Sequence, residues 1–310
     1  MSALICGSLA YDTIMVFHDK FKHHILPEQV HILNVAFLVP DLRREFGGCA
    51  GNIAYNLNML GGAALVMGTV GIDFAPYADR LDELGISRKH IKAIDHAYTA
   101  QAYITTDLDN NQITAFHPGA MNFAHHNNIN EAHGVKLGIV APDGREGMVE
   151  HAAQFAAAGI PFMFDPGQGL PMFNGEELMR FMRQAAWAAF NEYEFELIQQ
   201  RTGKSPHELA QTVQALIVTH GGKGSSIYTH KKRIDIPIAK PLALSDPTGC
   251  GDAYRAGLLY GLMHDMDWET TGRIAALMGA IKIERHGTQN HSFTRDEFDA
   301  RFKESFGYAL

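Results

Sequence analysis

Short, continuously apolar runs alternate with segments of helical periodicity along most of this chain. The apolar runs predict buried strands at residues 3–10, 63–71, 136–142, 160–166, 185–191 and 215–221. Apolar residues recur at helical spacing at 51–60, 145–158, 175–184 and 192–200. Strands that are apolar along their whole length are typical of a sheet buried on both faces. The alternation therefore predicts an α/β fold, a mostly parallel sheet covered by helices on both faces, with ligands at the carboxyl ends of its strands.

Two segments interrupt this alternation. Residues 12–46 mix polar and apolar side chains without a long helical pattern, and 98–121 contain two alternating stretches joined by the turn-forming sequence DLDNNQ. Both segments suit a small β lid on a single α/β domain that spans 1–310. An antiparallel edge of the main sheet explains the same pattern equally well, so the choice between the two stays open at this stage.

Composition and charge exclude several classes of protein. The chain is 46% hydrophobic and 19% charged, which is typical of a globular protein. A formal net charge of −8 argues against a broad nucleic-acid surface. Three separated cysteines without a CxxC pair favour a reduced, cytoplasmic compartment. No apolar stretch is long enough to span a membrane and no signal peptide is evident, so we expect no membrane partner.

The sequence DPTGCGD, residues 246–252, places small residues directly before a predicted helix. Glycine allows close approach to a ligand, and the free N–H groups at a helix start bind anions such as phosphoryl groups. In this position Asp252 could take a proton from an attacking hydroxyl while the N–H groups of Gly249, Cys250 and Gly251 hold the developing charge. On local sequence alone, Asp252 could equally be a simple helix cap. Neither a Walker A loop nor a GxGxxG dinucleotide motif is present.

Two long motifs resemble a known family. DPTGCGDAYRAG resembles the carboxyl-terminal signature of the ribokinase (phosphofructokinase-B type) family of sugar and nucleoside kinases, and FGGCAGNIAYNLNMLGG, residues 46–62, resembles its amino-terminal signature. The motifs occur in the family's order between residues 5 and 287. The resemblance implies a ribokinase-like fold, ATP as phosphate donor and Mg²⁺ as cofactor. It assigns Asp252 as catalytic base and residues 249–251 as anion hole, where Cys250 replaces a usual Ala but acts through its backbone.

The resemblance also implies the residues that bind the sugar. Asp12 matches the carboxylate that binds sugar hydroxyls, and Gly47, Gly48 and Asn52 match the sugar-contacting segment. The alternative for Asp12 and the two glycines is a purely structural turn. Arg255, within the second signature, is expected to point outward rather than to reach a phosphate.

On the ATP side, the sequence NEYE matches the family's NxxE motif. Asn191 and Glu194 would organise Mg²⁺ and the phosphates, with Glu194 acting through water, and Thr219, Gly221 and Gly224 would contact ATP. Alternatively, Asn191 and Glu194 form a helix capping box, and Thr219 is an ordinary strand residue. A monovalent cation such as K⁺ near Asp246 and residues 285–291 is implied by some family members. A homodimer is a further expectation, because lid strands in this family sometimes pair between subunits.

The lid segments narrow the substrate. No Lys or Arg lies between Lys92 and Lys136, although the segment 12–46 carries four. A sugar phosphate would need cations there, so phosphofructokinase-like chemistry is disfavoured. The sequences CGSLAYDTIMVF, RREFGGCAGN and TTDLDNNQITAFHPGAM resemble the bacterial nucleoside kinase (adenosine kinase) branch. That resemblance implies that Gln101, Phe116 and Pro118 line a nucleoside pocket.

The resulting prediction is an ATP- and Mg²⁺-dependent kinase that phosphorylates the ribose 5′-hydroxyl of a purine nucleoside. Adenosine is the first candidate, with inosine and guanosine next. One rival is a kinase for a free sugar such as ribose or fructose, and the test between them is whether the pocket continues beyond the sugar toward Phe116. The other rival is a non-catalytic nucleoside sensor, which would not need Asp252 as a base.

Overall fold

The computed structural model describes residues 1–25, 34–109 and 111–310. The strands are β1 (Ser2–Cys6), β2 (Ala10–Val16), β3 (Asp41–Gly47), β4 (Ala64–Val70), β5 (Ser87–Ala93), β6 (Ala100–Thr106), β7 (Gln112–His117), β8 (Val135–Val140), β9 (Phe162–Phe164), β10 (Trp187–Asn191), β11 (Ala215–Thr219), β12 (Ser225–Thr229) and β13 (Arg233–Ile236). The α-helices are α1 (Cys49–Met59), α2 (Ala75–Glu83), α3 (Arg145–Ala158), α4 (Gly175–Gln184), α5 (Glu192–Thr202), α6 (Pro206–Thr212), α7 (Cys250–Met263), α8 (Trp268–Ile283) and α9 (Arg295–Phe306).

The main sheet has nine strands in the order β13-β12-β11-β10-β9-β8-β1-β4-β5. All pairs from β11 to β5 are parallel, whereas β12 and β13 add an antiparallel edge. Two separate hydrophobic clusters cover its faces, one built on α1, α2, α7, α8 and α9 and the other on α3 to α6. The prediction of a mostly parallel sheet between two helical layers is therefore confirmed.

Over the described residues, the lid is a separate four-stranded sheet with the order β3-β2-β6-β7. In this lid sheet, β2 pairs with β6 in parallel, and the two outer pairs are antiparallel. The alternative, an antiparallel edge of the main sheet, is wrong. Residues 26–33 of the first predicted lid segment and residue 110 of the predicted turn lie outside the described residues.

The connection between the two sheets starts at Gly7. The single strand predicted over 3–10 is wrong, because β1 ends at Cys6 and β2, which belongs to the lid sheet, begins at Ala10. A Cβ atom at Gly7 would lie 3.1 Å from the Cβ of Ala141 and 3.2 Å from that of Ala50, so the chain leaves the main sheet through a tightly packed point. An apolar run that passes from one sheet to another cannot be distinguished from one long strand by its pattern.

Candidate active site

Two cavities meet at the N-terminus of α7. The first, which we call the lid cavity, has a volume of about 520 Å³ and lies between the lid sheet and the starts of α1 and α7. The second, which we call the α7–α8 cavity, has a volume of about 740 Å³. Gly251 lines both cavities, and Gly249 and Cys250 each line one of them. The motif DPTGCGD therefore stands at the junction of the two.

Asp252 lies in the first turn of α7 and lines the lid cavity. The helix N-cap is Gly249, and no side chain caps it, so the cap interpretation of Asp252 is wrong. Instead, the Asp252 carboxylate accepts a hydrogen bond of 2.8 Å from the Asn52 side-chain amide. Burial raises the pKa of Asp252 to about 7, against the lowering effect of the Asn52 hydrogen bond. A carboxylate with this pKa is suited to accept a proton near neutral pH.

A buried amide fixes the orientation of Asn52. The side-chain nitrogen of Gln289 donates to Asn52 Oδ1 at 3.0 Å and to the Tyr77 hydroxyl at 2.8 Å. Because Asn52 Oδ1 accepts from Gln289, its amide nitrogen must point toward Asp252. The Tyr77 hydroxyl in turn donates to the carbonyl oxygen of Gly47 at 2.8 Å, which joins both glycine-containing motifs in one network. Neither Tyr77 nor Gln289 was predicted, since each is separated from the motifs in sequence.

The loop before α7 presents N–H groups to the cavities. Gly249 has a positive φ of 79°, the left-handed conformation that glycine adopts easily. At Gly251 a Cβ atom would meet only Arg255 Nη1, at 3.8 Å, so there is open space beside the backbone. The Cys250 N–H donates to Pro247 O at 3.2 Å, whereas those of Gly249 and Gly251 have no acceptor among the described residues. The N–H groups of Gly249 and Gly251 are thus available to an anion, whereas the Cys250 N–H is already hydrogen-bonded within the turn.

Asp12 enters the lid cavity from β2, where its register partners are Glu45 and Ala102. Burial raises its pKa to about 6, with further contributions from Glu45 and Asp246. A Cβ atom at Gly47 would lie 2.5 Å from Asp12 Oδ2, so only glycine leaves room for the carboxylate there. Gly48 has a φ of 83°, and a Cβ atom there would lie 2.5 Å from Ser8 O.

The lid cavity continues from Asp252 to Phe116 and Met121. Phe116 is 51% exposed and faces the cavity from β7. The structure does not bring Gln101 into this cavity. In β6, Ala102 lines the cavity, so its neighbour Gln101 points to the opposite face, where its amide donates to Asp73 at 2.9 Å.

Pro118 is also absent from the described lining of the lid cavity. It precedes the short 3₁₀ helix Gly119–His126, which brings Met121 to the cavity. The resemblance thus led to the correct segment for Phe116, but neither Gln101 nor Pro118 lines the cavity in this structure.

The α7–α8 cavity is lined by the residues that were predicted to contact ATP. Asn191, Thr219, Gly221 and Gly224 all contribute to it. Its other lining residues are mostly apolar and come from the segment before α7 and from the two helices, including Ile238, Pro241, Leu244, Tyr254, Ala276, Ala280 and Ile283. An apolar slot beside an N–H-rich helix start is a suitable shape for a base and its attached phosphates.

Asn191 and Glu194 form the capping box of α5. Asn191 Oδ1 accepts from the Glu194 N–H at 2.8 Å, and Glu194 Oε2 accepts from the Asn191 N–H at 2.8 Å. The structural alternative for this motif is therefore present, and any role toward Mg²⁺ comes in addition to it. Burial and the neighbouring Asp165 raise the pKa of Glu194. Among the described residues, no group of three or more His, Cys, Asp and Glu side chains is arranged to hold a metal ion.

Two carboxylates near the site were missed by sequence reasoning. Asp165 follows β9 and forms a buried ion pair with Arg255 at 3.0 Å; Arg255 is only 5% exposed, so the expectation that it points outward is wrong. Asp143 lines the lid cavity, and burial raises its pKa to about 8. Asp165 directly follows β9, and Asp143 stands three residues after the end of β8. A carboxylate just beyond the carboxyl end of a parallel strand is the signal that could have identified both.

The Asp, Glu, Lys and Arg side chains that line the lid cavity in the described part of the chain are all acidic. Asp12, Asp143 and Asp252 line it, and no Lys or Arg does so within the part of the chain that the structure describes. The lid cations pair with carboxylates instead: Lys20 lies 2.6 Å from Asp109, and Arg44 lies 3.4 Å from Asp73. The cavity therefore favours an uncharged polyhydroxylated ligand over a phosphorylated one.

Comparison with known proteins agrees with this geometry. The family model for "pfkB family carbohydrate kinase" matches residues 10–295. A nucleoside kinase of Methanocaldococcus jannaschii is 33% identical over 273 residues, which cover 87% of this chain and 89% of the relative. In the described ranges, no helix has the length and apolarity needed to cross a membrane.

Solved structures give the same result. Burkholderia thailandensis nucleoside kinase in complex with inosine is 52% identical, covers 100% of both chains and superimposes with a TM-score of 0.92. The structure of that enzyme described as a complex with ADP-inosine is 56% identical, with coverage of 99% of this chain and 97% of the other and a TM-score of 0.89. On this evidence the chain belongs to the pfkB family of carbohydrate kinases, in its nucleoside kinase branch.

Proposed function

We propose that this protein transfers the γ-phosphate of ATP to the ribose 5′-hydroxyl of a purine nucleoside. The observation that carries the proposal is the continuity of the lid cavity, which begins at Asp252 and extends to Phe116 and Met121. A free pentose would fill only the polar end near Asp12 and Asp252. The remaining space, beside an aromatic ring and a thioether, fits a planar base.

The chain's own residues account for the proton transfer. Asp252 takes the proton of the 5′-hydroxyl, and the oxygen then bonds to the γ-phosphorus while the bond from that phosphorus to the β,γ-bridging oxygen breaks and ADP leaves. Asn52 holds the carboxylate in position through its 2.8 Å hydrogen bond. The free N–H groups of Gly249 and Gly251 stabilise the negative charge that develops on the phosphoryl oxygens. Asp12 binds ribose hydroxyls from the lid.

Mg²⁺ is the expected cofactor. Asn191 lines the α7–α8 cavity, and its capping-box partner Glu194 is a half-buried carboxylate next to it. A carboxylate beside this cavity would suit a hydrated Mg²⁺ that arrives with the phosphates of ATP. When bound, the ion would neutralise charge on the β- and γ-phosphates. The absence of a ready three-ligand cluster within the described residues agrees with binding through water and ATP.

Adenosine is our first candidate substrate, followed by inosine and guanosine. The B. thailandensis enzyme, described in complex with inosine, supports a purine nucleoside. The acidic lining disfavours fructose 6-phosphate and other sugar phosphates. Closure of the lid sheet over the ribose would exclude water and suppress ATP hydrolysis.

A substrate panel tests the proposal directly. ADP release with Mg²⁺-ATP would be compared for adenosine, inosine, guanosine, ribose, fructose and fructose 6-phosphate, and the product identified by phosphorus NMR. We expect 5′-monophosphates from the nucleosides and no product from the sugar phosphate. Turnover of ribose or fructose without any nucleoside would overturn the substrate assignment. Nucleoside binding with no turnover of any compound would indicate a sensor.

A further inference from the structure

A buried lysine lies directly behind the loop that carries the anion-hole N–H groups. Lys282, in the last turn of α8, is fully buried. Its ammonium nitrogen donates to the carbonyl oxygen of Asp246 at 2.7 Å and to that of Arg285 at 3.1 Å. A buried ammonium is costly unless its donors are satisfied, so a lysine in this position needs a structural reason.

The two carbonyls belong to different segments, both of which border the lid cavity. Asp246 begins the DPTGCGD motif, three residues before Gly249, and Arg285 begins the segment that carries Thr288 and Gln289. The Asp246 carboxylate also joins these segments, because it accepts from the Thr248 N–H and from the Gly287 N–H, both at 2.9 Å. One cation and one carboxylate thus hold the anion-hole loop against the segment that positions Asn52.

This is the place where the family resemblance implied a monovalent cation. Backbone carbonyls are the ligands by which proteins replace the hydration shell of K⁺. Here, however, the Asp246 and Arg285 carbonyls already accept hydrogen bonds from an ammonium group. A K⁺ ion added beside it would experience like-charge repulsion at close range with little solvent to screen it. The residues present do not fit the cation that the resemblance implied.

We propose that the Lys282 ammonium is a built-in substitute for a monovalent cation, which positions the anion-hole loop and makes the protein independent of K⁺. Lys282 is a positioning residue, since it acts on the phosphoryl group only through the loop 246–251. The simpler alternative is that Lys282 only caps the C-terminus of α8. The two differ in their consequences, because a cap affects stability but not the response to small cations.

The first test uses the unmodified protein. Initial rates, ADP affinity and Tm would be measured in KCl and in tetramethylammonium chloride at equal ionic strength. All three quantities should agree between the two salts. A several-fold increase in rate or ADP affinity with K⁺, or a clear increase in Tm, would overturn the proposal.

The second test removes the ammonium. Lys282→Ala removes the ammonium and leaves space for a small cation. Without the ammonium the anion-hole loop loses its support, so kcat/KM should fall ~10- to 100-fold, the usual effect of losing a residue that orients groups of the site without contacting the ligand. K⁺ or NH₄⁺ should then restore most of the rate, and should raise ADP affinity and Tm. Lys282→Met fills the space without a charge, and should show the loss without the rescue. Full activity of Lys282→Met, or a Lys282→Ala protein that no cation restores, would contradict the proposal.

Lys136→Met is the matched control. Lys136 Nζ also donates to a carbonyl near a helix end, Met263 O at 2.9 Å, but it is far in sequence from the anion-hole loop. Its loss should leave rate and K⁺ response unchanged. The proposal for Lys282 rests on the proposed nucleoside kinase function only where initial rates are measured, because ADP affinity and Tm do not require turnover. If no nucleoside is turned over, the K⁺ response of ADP affinity and Tm in Lys282→Ala still decides it.

Discussion

The lid cavity and the α7–α8 cavity share Gly251 but differ in chemistry. The lid cavity is lined by three acidic side chains, Asp12, Asp143 and Asp252, while most of the α7–α8 cavity is apolar. An acidic pocket attracts hydroxyl groups and repels phosphates, whereas an apolar slot next to free N–H groups accepts a base and the phosphates attached to it. The difference is what we expect if one helix start serves two ligands, a nucleoside in the lid cavity and ATP in the α7–α8 cavity.

The two cavities also differ in how the chain builds them. The lid cavity draws on residues from 8 to 288, nearly the whole sequence, whereas the α7–α8 cavity draws only on residues from 191 to 283. Changes confined to one cavity should therefore affect one substrate, and changes at their junction should affect the chemistry itself. The following predictions test this separation in order of expected effect.

Asp252→Asn should have the largest effect, because it removes the proposed catalytic base next to the junction of the two cavities. We expect kcat to fall ~10²- to 10⁴-fold, with KM for ATP and nucleoside changed by less than about threefold. Steady-state kinetics and calorimetric ADP binding would check both. Asp82→Asn, which removes a surface carboxylate paired with Arg88, is the control. A loss of less than tenfold would show that Asp252 is not the base.

Asp12→Asn should raise KM for the nucleoside without changing KM for ATP. Removal of a charged hydrogen-bond acceptor costs about 1.5–3 kcal/mol, so KM for the nucleoside should rise ~10- to 100-fold. KM for ATP should stay the same, since Asp12 lines only the lid cavity. An equal increase in both KM values would contradict the idea that each cavity binds one of the two substrates.

The pH dependence should reveal two of the three carboxyl groups that line the lid cavity, Asp252 and Asp12. The pKa of Asp252 is raised to about 7, so the carboxylate is protonated and inactive as a base below that pH. We therefore expect kcat/KM to fall about tenfold per pH unit below neutrality, and more steeply below the Asp12 pKa of about 6. In Asp12→Asn the additional fall in kcat/KM below about pH 6 should disappear, while the fall that begins near neutral pH should remain. A flat profile between about pH 5 and 8 would contradict the raised pKa of Asp252.

Gly224→Ala should have the smallest effect, and only on the ATP side. Its φ is 96°, and a Cβ atom would lie 2.2 Å from Ile236 O, so the loop must shift. We expect a loss of about 1–3 kcal/mol in the free energy of unfolding and a higher KM for ATP, with KM for the nucleoside unchanged. Gly134→Ala, at a φ of 73° with open space around the new methyl group, controls for backbone strain alone. Denaturant unfolding and kinetics would separate the two effects.

Much of the fold was predictable because its signals are local. Continuous apolar runs identified strands of the parallel sheet, and the alternating stretch at 98–121 identified the hairpin of β6 and β7. The edge strands β5, β12 and β13 were missed, since each contains several polar side chains and none forms a continuous apolar run. The break between β1 and β2 was missed for a different reason. The apolar run continues where the chain passes from the main sheet to the lid sheet, so the pattern does not reveal the change of sheet.

The position of the candidate site was predictable where its residues belong to a contiguous motif. Asp252, the loop from Gly249 to Gly251 and the Gly47-Gly48 pair could be read from two signatures. Gln101 could not, because a single-residue step along a strand decides which face of the sheet a side chain occupies.

The sequence by itself determined the α/β class, the two signatures, and hence the kinds of group that line the candidate site. Only the tertiary structure decided which distant side chains support them: Gln289 on Asn52, Arg255 on Asp165, and Lys282 on the anion-hole loop. The physical reason is that a local pattern records the periodicity of one element. A buried polar contact depends instead on where two elements, separated by tens or hundreds of residues, come together and must satisfy each other's hydrogen bonds.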